Sequence, residues 1–192
     1  MDLILASTSP YRRALLERLQ VRFRCEAPDT DESPRKSEPP EALAQRLALA
    51  KAHSVATNNP SALVIGSDQV ASIEPGSCIG KPGSHAAAAD QLRASSGKQV
   101  HFYTGLAVVG IESGFEQSAV ETFSVQFRSL TDREIDNYLH VDHPYDCAGS
   151  FKYESLGIAL FDRMIGDDPT ALEGLPLIAT CRLLRLAGIP LP

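Results

Sequence analysis

A small set of acids and cations carries the chemistry open to this chain. Asp68 stands in Gly66-Ser67-Asp68-Gln69, directly behind the apolar run Leu63-Val64-Ile65. A carboxylate at a strand's C-terminal end lies where α/β sheets place ligands. It could hold a divalent metal or take a proton from an attacking water. A turn aspartate bonding its own backbone has the same local sequence. Glu32, in Asp31-Glu32-Ser33, offers a second carboxylate. Hard cations such as Mg²⁺ take such groups together with phosphate oxygens, although alone Glu32 reads as a solvated loop acid. Lys51, in Ala50-Lys51-Ala52, and Lys81, in Gly80-Lys81-Pro82, could each serve a phosphate as a point charge. Lys152, in Gly149-Ser150-Phe151-Lys152, is a weaker candidate of the same kind, and an exposed lysine is the default for all three.

The segment Ser7-Thr8-Ser9-Pro10-Tyr11-Arg12-Arg13 follows the short apolar run Leu3-Ile4-Leu5-Ala6. Ser9 suits a helix N-cap, and Pro10 suits the first helical position, where a missing N–H costs nothing. A strand–turn–helix junction aims backbone N–H groups at one point, and Arg12 and Arg13 add fixed positive charge. Such a junction can grip a phosphate chain, or it can be a capped helix with solvated arginines. His140 and His143 flank Asp142, but this spacing is a weak metal signal and the segment reads as a helix end. There is no phosphate-binding G-x-x-x-x-G-K-[ST] loop, dinucleotide fingerprint or G-x-S-x-G elbow.

The elements that must hold these residues alternate between strand and helix. Leu3 to Ala6 reads as a buried strand, Pro10 to Leu19 as a helix with Leu15, Leu16 and Leu19 on one face, and Val21 to Cys25 as a second strand. Ala27 to Pro40 is polar and rich in proline, hence a loop. Glu41 to Thr57 is helical, and Leu63 to Ile65 is a strand that breaks at Gly66-Ser67-Asp68. Gly76 to Gly83 reads as a turn region around Lys81, after which Ser84 caps an alanine-rich helix to Ala94. Phe102 to Ile111 and Ala119 to Phe127 are strands. Thr131 to Glu134 is a capping box before a helix through Leu139. Ala148 to Lys152 is a small polar turn, and Gly174 to Leu186 holds a final helix with Pro176 near its start. The class is α/β with a mixed sheet, and no repeat or linker divides the chain.

The chain has 192 residues, 43% hydrophobic and 22% charged, which suits one globular domain with a sizeable core. A net charge of −6 argues against a nucleic-acid polymer as partner, while leaving a nucleotide open, which needs only a few local cations. No apolar run approaches the ~20 residues of a membrane span. The start Met1-Asp2-Leu3 lacks a signal-peptide pattern, so a cytoplasmic location is expected. Cys25, Cys78, Cys147 and Cys181 form no C-x-x-C pair and read as buried reduced thiols.

Seven segments, in this order, together resemble the Maf family of nucleoside triphosphate pyrophosphatases. They are Leu5-Ala6-Ser7-Thr8-Ser9-Pro10-Tyr11-Arg12-Arg13, Asp31-Glu32, Lys51-Ala52, Gly66-Ser67-Asp68-Gln69, Gly80-Lys81-Pro82, Phe102-Tyr103-Thr104-Gly105 and Ala148-Gly149-Ser150-Phe151. The resemblance covers nearly the whole chain. It implies a twisted mixed sheet in two lobes around a central cleft, similar to inosine triphosphate pyrophosphatases, with residues 1–192 as one domain. It implies hydrolysis between the α- and β-phosphates with a divalent cation, Mg²⁺ or Mn²⁺. Carried over by position, Asp68 is the proton acceptor, with Lys51 and Lys81 neutralising charge. Ser7, Ser9, Arg12 and Arg13 grip the phosphate chain. Glu32 and Asp68 bind the metal.

The resemblance also bears on the base. Members acting on dTTP and UTP usually carry arginine where this chain has Tyr11, threonine where it has Gln69 and glutamine where it has Glu154. The pattern here looks like the branch acting on 7-methyl-GTP, which typically has tryptophan at the place of Tyr11. An aromatic ring can stack on the cationic 7-methylguanine, and a carboxylate can accept from its N1–H and N2–H. The implied partner is a modified nucleotide, and a homodimer is allowed. Two other readings stand beside this one. The first is a dTTP/UTP or broad-specificity pyrophosphatase. The second is a nucleotide-binding regulator of cell division with little catalysis, since the family has been associated with septum formation.

Overall fold

The computed structural model describes residues 2–73 and 77–192. Glu74, Pro75 and Gly76 lie outside the described residues, and with them the start of the expected turn region around Lys81. Strand β1 (Leu3–Ala6) leads into helix α1 (Pro10–Glu17), followed by β2 (Arg24–Glu26), α2 (Pro40–Asn58) and β3 (Leu63–Ser72). Next come β4 (Cys78–Ile79), α3 (His85–Ser95), β5 (Gln99–Gly110), β6 (Phe115–Phe127) and α4 (Asp132–Asp142). A 3-10 turn (Leu156–Leu160), β7 (Phe161–Ile165), a second 3-10 turn (Pro169–Glu173) and α5 (Leu177–Leu186) complete the chain. The seven strands form a mixed sheet in the order β2-β1-β3-β5-β6-β7, with β4 pairing with β3. β1 is parallel to β2 and β3, whereas β3–β4 and β6–β7 are antiparallel.

The chain divides into two compact units. The first comprises Met1–Gln69, Tyr103–Glu121 and Asp168–Pro192, and the second Val70–Phe102 and Thr122–Asp167. In the first unit β1 is buried on both faces. Leu3 and Leu5 pack with Leu15 and Leu16 of α1 and with Leu183 and Leu184 of α5. Ile4 and Ala6, the alternate residues, pack with Ala48, Ala52 and Val55 of α2. Two-sided burial is why β1 reads as an unbroken apolar run rather than an alternation. The second unit is built around aromatic rings. Phe151 meets Phe102, Phe127 and Phe161 edge-on, at centroid distances of 5.3, 5.7 and 4.8 Å. Edge-to-face packing lets each ring's positive rim meet another's negative face.

Several boundaries differ from the sequence reading. β3 does not break at Gly66 but runs on to Ser72. Gly66 is there for close approach: a Cβ would fall onto the Ala48 carbonyl and within 2.7 Å of the Ala52 nitrogen. Gly105 on β5 does the same beneath Ala44, where a Cβ would lie 2.9 Å from the Gln45 nitrogen. Two strand glycines and a stripe of helix alanines let α2 lie directly on the sheet. α1 stops at Glu17, two residues before Leu19, and β2 begins at Arg24 rather than Val21. The cysteines form no disulfide, but they are not buried either: Cys25 and Cys78 are exposed, Cys147 and Cys181 half-buried. Among the described residues no helix is long and apolar enough to cross a membrane.

Candidate active site

Asp68 sits inside β3, not in a turn, and is only 8% exposed. Its partner comes from α2. The Lys51 ammonium lies 2.6 Å from Asp68 Oδ1, and the same nitrogen lies 2.6 Å from Glu32 Oε1. The close contact at Gly66 explains the first distance, because it brings the face of α2 carrying Lys51 onto the strand two residues before Asp68. Lys51 is buried, and a buried ammonium needs such partners. No hydrogen bond engages Asp68 Oδ2 among the described residues.

Glu32 reaches this cluster from the 27–40 loop, which has no regular structure at that point. A clasp fixes the loop. Arg46 of α2 donates from Nε to Glu38 Oε1 at 2.6 Å and from Nη2 to Glu38 Oε2 at 2.8 Å, and Nη2 also reaches the Ser33 carbonyl at 3.0 Å. Asp31 Oδ1 closes a small turn by accepting from Ser33 N at 2.9 Å. The fork from Arg46, with the Arg35 backbone N–H, holds the Glu38 carboxyl down at about 2. Thr30 Oγ1, two residues before Glu32, is buried without a hydrogen-bond partner, an atom that water or a ligand would satisfy. Sequence reasoning passed over Arg46 and Glu38. The clasp spans eight positions across a helix start, and no local pattern signals it.

The junction after β1 is built as its sequence suggests. Ser9 is the N-cap of α1 and accepts from Arg12 N at 3.4 Å, while Ser7 Oγ accepts from Ser9 N at 3.1 Å. Both hydroxyls thus accept from backbone, and neither donates to a described group. Their own O–H groups remain for an incoming acceptor. The two arginines diverge. Arg12 is half-buried and donates from Nε to the Gly174 carbonyl at 2.8 Å. Ser67 Oγ donates to that same carbonyl at 2.8 Å and to Gly105 O at 2.7 Å. Gly174 has φ of 95°, and a Cβ there would come within 3.1 Å of Arg12 Nε. Burial pushes the Arg12 pKa down, and the charges of Asp68 and Glu32 oppose the shift. It remains a cation, with its Nη groups unengaged among the described residues. Arg13, by contrast, is exposed and paired with Glu17 at 2.9 Å.

The family model described as "Maf-like protein" matches residues 2–187. The chain belongs to the Maf-like family. A Polaromonas protein named "7-methyl-GTP pyrophosphatase" is 57% identical over 189 residues, covering 98% of this chain and 86% of its own length. An Albidiferax ferrireducens protein of the same name is 56% identical over 187 residues, 97% of this chain and 94% of its own. Among solved structures, a HAM1 protein from Coxiella burnetii aligns with a TM-score of 0.51 at 15% identity, over 94% of this chain and 98% of that one. At that identity the likeness is one of fold.

The Maf-like chain therefore gathers Glu32, Lys51 and Asp68 in direct contact, with the charge of Arg12 acting on both carboxylates. Ser7, Ser9, Tyr11 and Gln69 belong to the same unit. Tyr11 is half-buried on α1. Gln69 turns its amide nitrogen to Thr104 Oγ1 at 3.2 Å and to the Ala171 carbonyl at 2.6 Å. In this arrangement its donor braces the 3-10 turn. Lys81, exposed in the loop after β4, belongs to the second unit, as does Glu154, exposed in the turn before the first 3-10 segment.

Proposed function

We propose that this Maf-like chain is a metal-dependent nucleotide pyrophosphatase that hydrolyses 7-methyl-GTP to 7-methyl-GMP and pyrophosphate. The coarse part, a nucleotide pyrophosphatase, rests on the family and on the names of both relatives. The observation that carries the mechanism is the convergence of Glu32 and Asp68 on the buried Lys51 ammonium.

Lys51 holds one oxygen of Asp68 and so orients the carboxylate. Asp68 Oδ2 is then the acceptor for a proton from the attacking water, whose oxygen forms the new bond to phosphorus as the phosphoanhydride bond breaks. Arg12, anchored through Nε, presents its Nη groups to phosphate oxygens, and the Ser7 and Ser9 hydroxyls add neutral donors. Fixed donors aimed at developing charge cost no reorganisation when the reaction occurs. Glu32 and Asp68 are the residues proposed to hold the cation. Two carboxylates converging on one positive centre form an oxygen donor set of the kind Mg²⁺ and Mn²⁺ prefer. When bound, that cation supplies neutralisation of the polyphosphate charge.

The preference for the methylated purine is supported by residue type. Tyr11 replaces the arginine expected for pyrimidine substrates and can stack on a cationic ring. The test is pyrophosphate release with Mg²⁺ or Mn²⁺ from 7-methyl-GTP, GTP, UTP and dTTP at equal concentration. Preference for 7-methyl-GTP over GTP is expected. Preference for UTP and dTTP would overturn the base assignment and keep the chemistry. Silence on all four, with nucleotide still bound, would favour a binding protein.

A further inference from the structure

A second cluster of ligating side chains lies apart from the acids and cations used above. His85 is the first residue of α3, and Ser84 caps that helix by accepting from Ala87 N at 3.3 Å. Asp136 and His140 stand one turn apart on α4, which is started by a full capping box between Thr131 and Glu134. His85 Nε2 lies 3.0 Å from Asp136 Oδ1, and His140 Nδ1 lies 3.4 Å from the same oxygen. The two imidazole rings are 4.8 Å apart between centroids. One ligand atom from each of the three residues lies within 4.8 Å of the others. Among the described residues it is the single group of three or more such side chains with this geometry.

We propose that His85, Asp136 and His140 bind a divalent transition-metal ion of the zinc class. Zn²⁺ takes imidazole nitrogen and carboxylate oxygen at roughly 2.0–2.2 Å, so its ligand atoms stand roughly 3.3 Å apart. Two of the contacts here already have that spacing, and the side chains are half-buried or exposed, with room to close the rest. Two neutral imidazoles and one carboxylate leave a single negative charge for the ion to neutralise. The mixed nitrogen and oxygen set selects zinc, copper or nickel over magnesium, whose preference is for oxygen.

The surroundings of His85 match what a metal-bound histidine requires. A ligating imidazole generally hands its other nitrogen to an oxygen that fixes the ring. His85 Nδ1 meets Tyr145 Oη at 3.0 Å. Tyr145 is itself held, through its hydroxyl to the Leu139 carbonyl at 3.3 Å and its own carbonyl to Gly83 N at 2.9 Å. His85 therefore faces Asp136 with Nε2 while Nδ1 is held from behind. His140 Nδ1 sits 2.8 Å from the Asp136 carbonyl one turn earlier, which holds that ring beside the carboxylate without metal; an ion would take this nitrogen in place of that hydrogen bond. Helix capping, the i,i+4 spacing and Tyr145 together place three ligands without any one of them being buried. An ion here would tie α3 to α4 within the second unit.

The proposal uses none of the residues assigned to nucleotide hydrolysis, and its test is separate. Zn²⁺ is titrated into the full-length protein by calorimetry with chelator competition. The ring nitrogens of the histidines are followed by NMR. One equivalent is expected, with the His85 and His140 rings shifting together and the melting temperature rising. His85→Ala, His140→Ala and Asp136→Asn are each expected to weaken binding at least about tenfold, and Tyr145→Phe by less. The double variant Glu32→Gln/Asp68→Asn and the single variant His53→Ala are expected to bind Zn²⁺ as the parent does. Binding lost in the Glu32/Asp68 variant but kept in the His85 and His140 variants would overturn the proposal. So would the absence of any shift at the His85 and His140 rings. Melting curves of each variant without metal confirm that the fold is intact, and Tyr145→Phe keeps all three ligands in place.

Discussion

Asp68 and Glu32 touch the same ammonium at the same distance, yet they are held by opposite means. Asp68 is 8% exposed, inside a strand whose position is set by backbone pairing and by the α2 contact at Gly66. Glu32 has 61% of its side chain exposed and is held by a loop that depends on the Arg46–Glu38 clasp. One carboxylate is part of the core and the other is attached to it. Changes on the strand side should therefore alter both chemistry and fold, while a change at Glu32 itself should alter chemistry alone.

The largest effect is expected at Asp68. Asp68→Asn removes the proton acceptor and should lower kcat by about 10²–10⁴-fold, the usual range for a lost general base. Nucleotide binding, measured by direct titration, should largely survive, since Arg12, Ser7 and Ser9 are untouched. Turnover near the parent value would remove Asp68 from its role.

Gly66→Ala probes the packing beneath the site. The added methyl has no room against the Ala48 carbonyl and Ala52, so α2 must move. Overpacking of this kind costs about 1–3 kcal/mol, and it would carry Lys51 away from Asp68. Urea denaturation should show a lowered midpoint together with reduced turnover. Gly80→Ala is the matched control. Nothing lies within 4 Å of a Cβ there, so its stability should stay within about 0.5 kcal/mol of the parent.

These two glycines also show what was legible in the sequence. Gly66 reads as a strand breaker because glycine usually punctuates structure, and only the Ala48 and Ala52 contacts reveal it as a spacer. Asp68 was legible as a chemical group but misplaced at a strand end for that reason. Local signals did better. Ser9 before Pro10, Ser84 before an alanine run and the Thr131–Glu134 box each act within four residues, and each starts a helix where expected. β7 left no signal, because its residues are half-buried or exposed and its position depends on antiparallel pairing with β6. The Arg46–Glu38 clasp crosses a helix start, and the metal cluster joins the Asp136/His140 pair of α4 to His85 of α3. Neither long-range pairing has a spacing that a sequence displays.

On the loop side, Glu32→Gln keeps the shape of the side chain and removes its charge. The apparent affinity for Mg²⁺ or Mn²⁺ should fall by about tenfold, read as a shift in the metal dependence of turnover. The melting temperature should hold, because the residue is exposed and the clasp remains. A metal dependence identical to the parent's would take Glu32 out of the cation site.

The smallest effect concerns the clasp itself and is read through pH. Hydrogen bonds from Arg46, and then from the Arg35 backbone, hold the Glu38 carboxyl at about 2, against 4.5 for an unperturbed glutamate. A depressed folded-state value means that the unfolded chain takes up its proton first as pH falls. The clasp's contribution is therefore complete above pH 4.5 and is lost between there and pH about 2. Comparing the parent with Glu38→Ala isolates it. Glu134, also held at about 2 by the Thr131 cap, titrates in the same window, but it is present in both proteins and drops out of the difference. The gap in urea midpoint between the two proteins should be constant above pH about 5 and close as pH falls toward 2. The same variant should weaken metal dependence in the direction of Glu32→Gln, because Glu32 has then lost the brace that holds it to Lys51. A gap that persists unchanged at low pH would mean that the loop is held by packing around Glu38 and not by its charge.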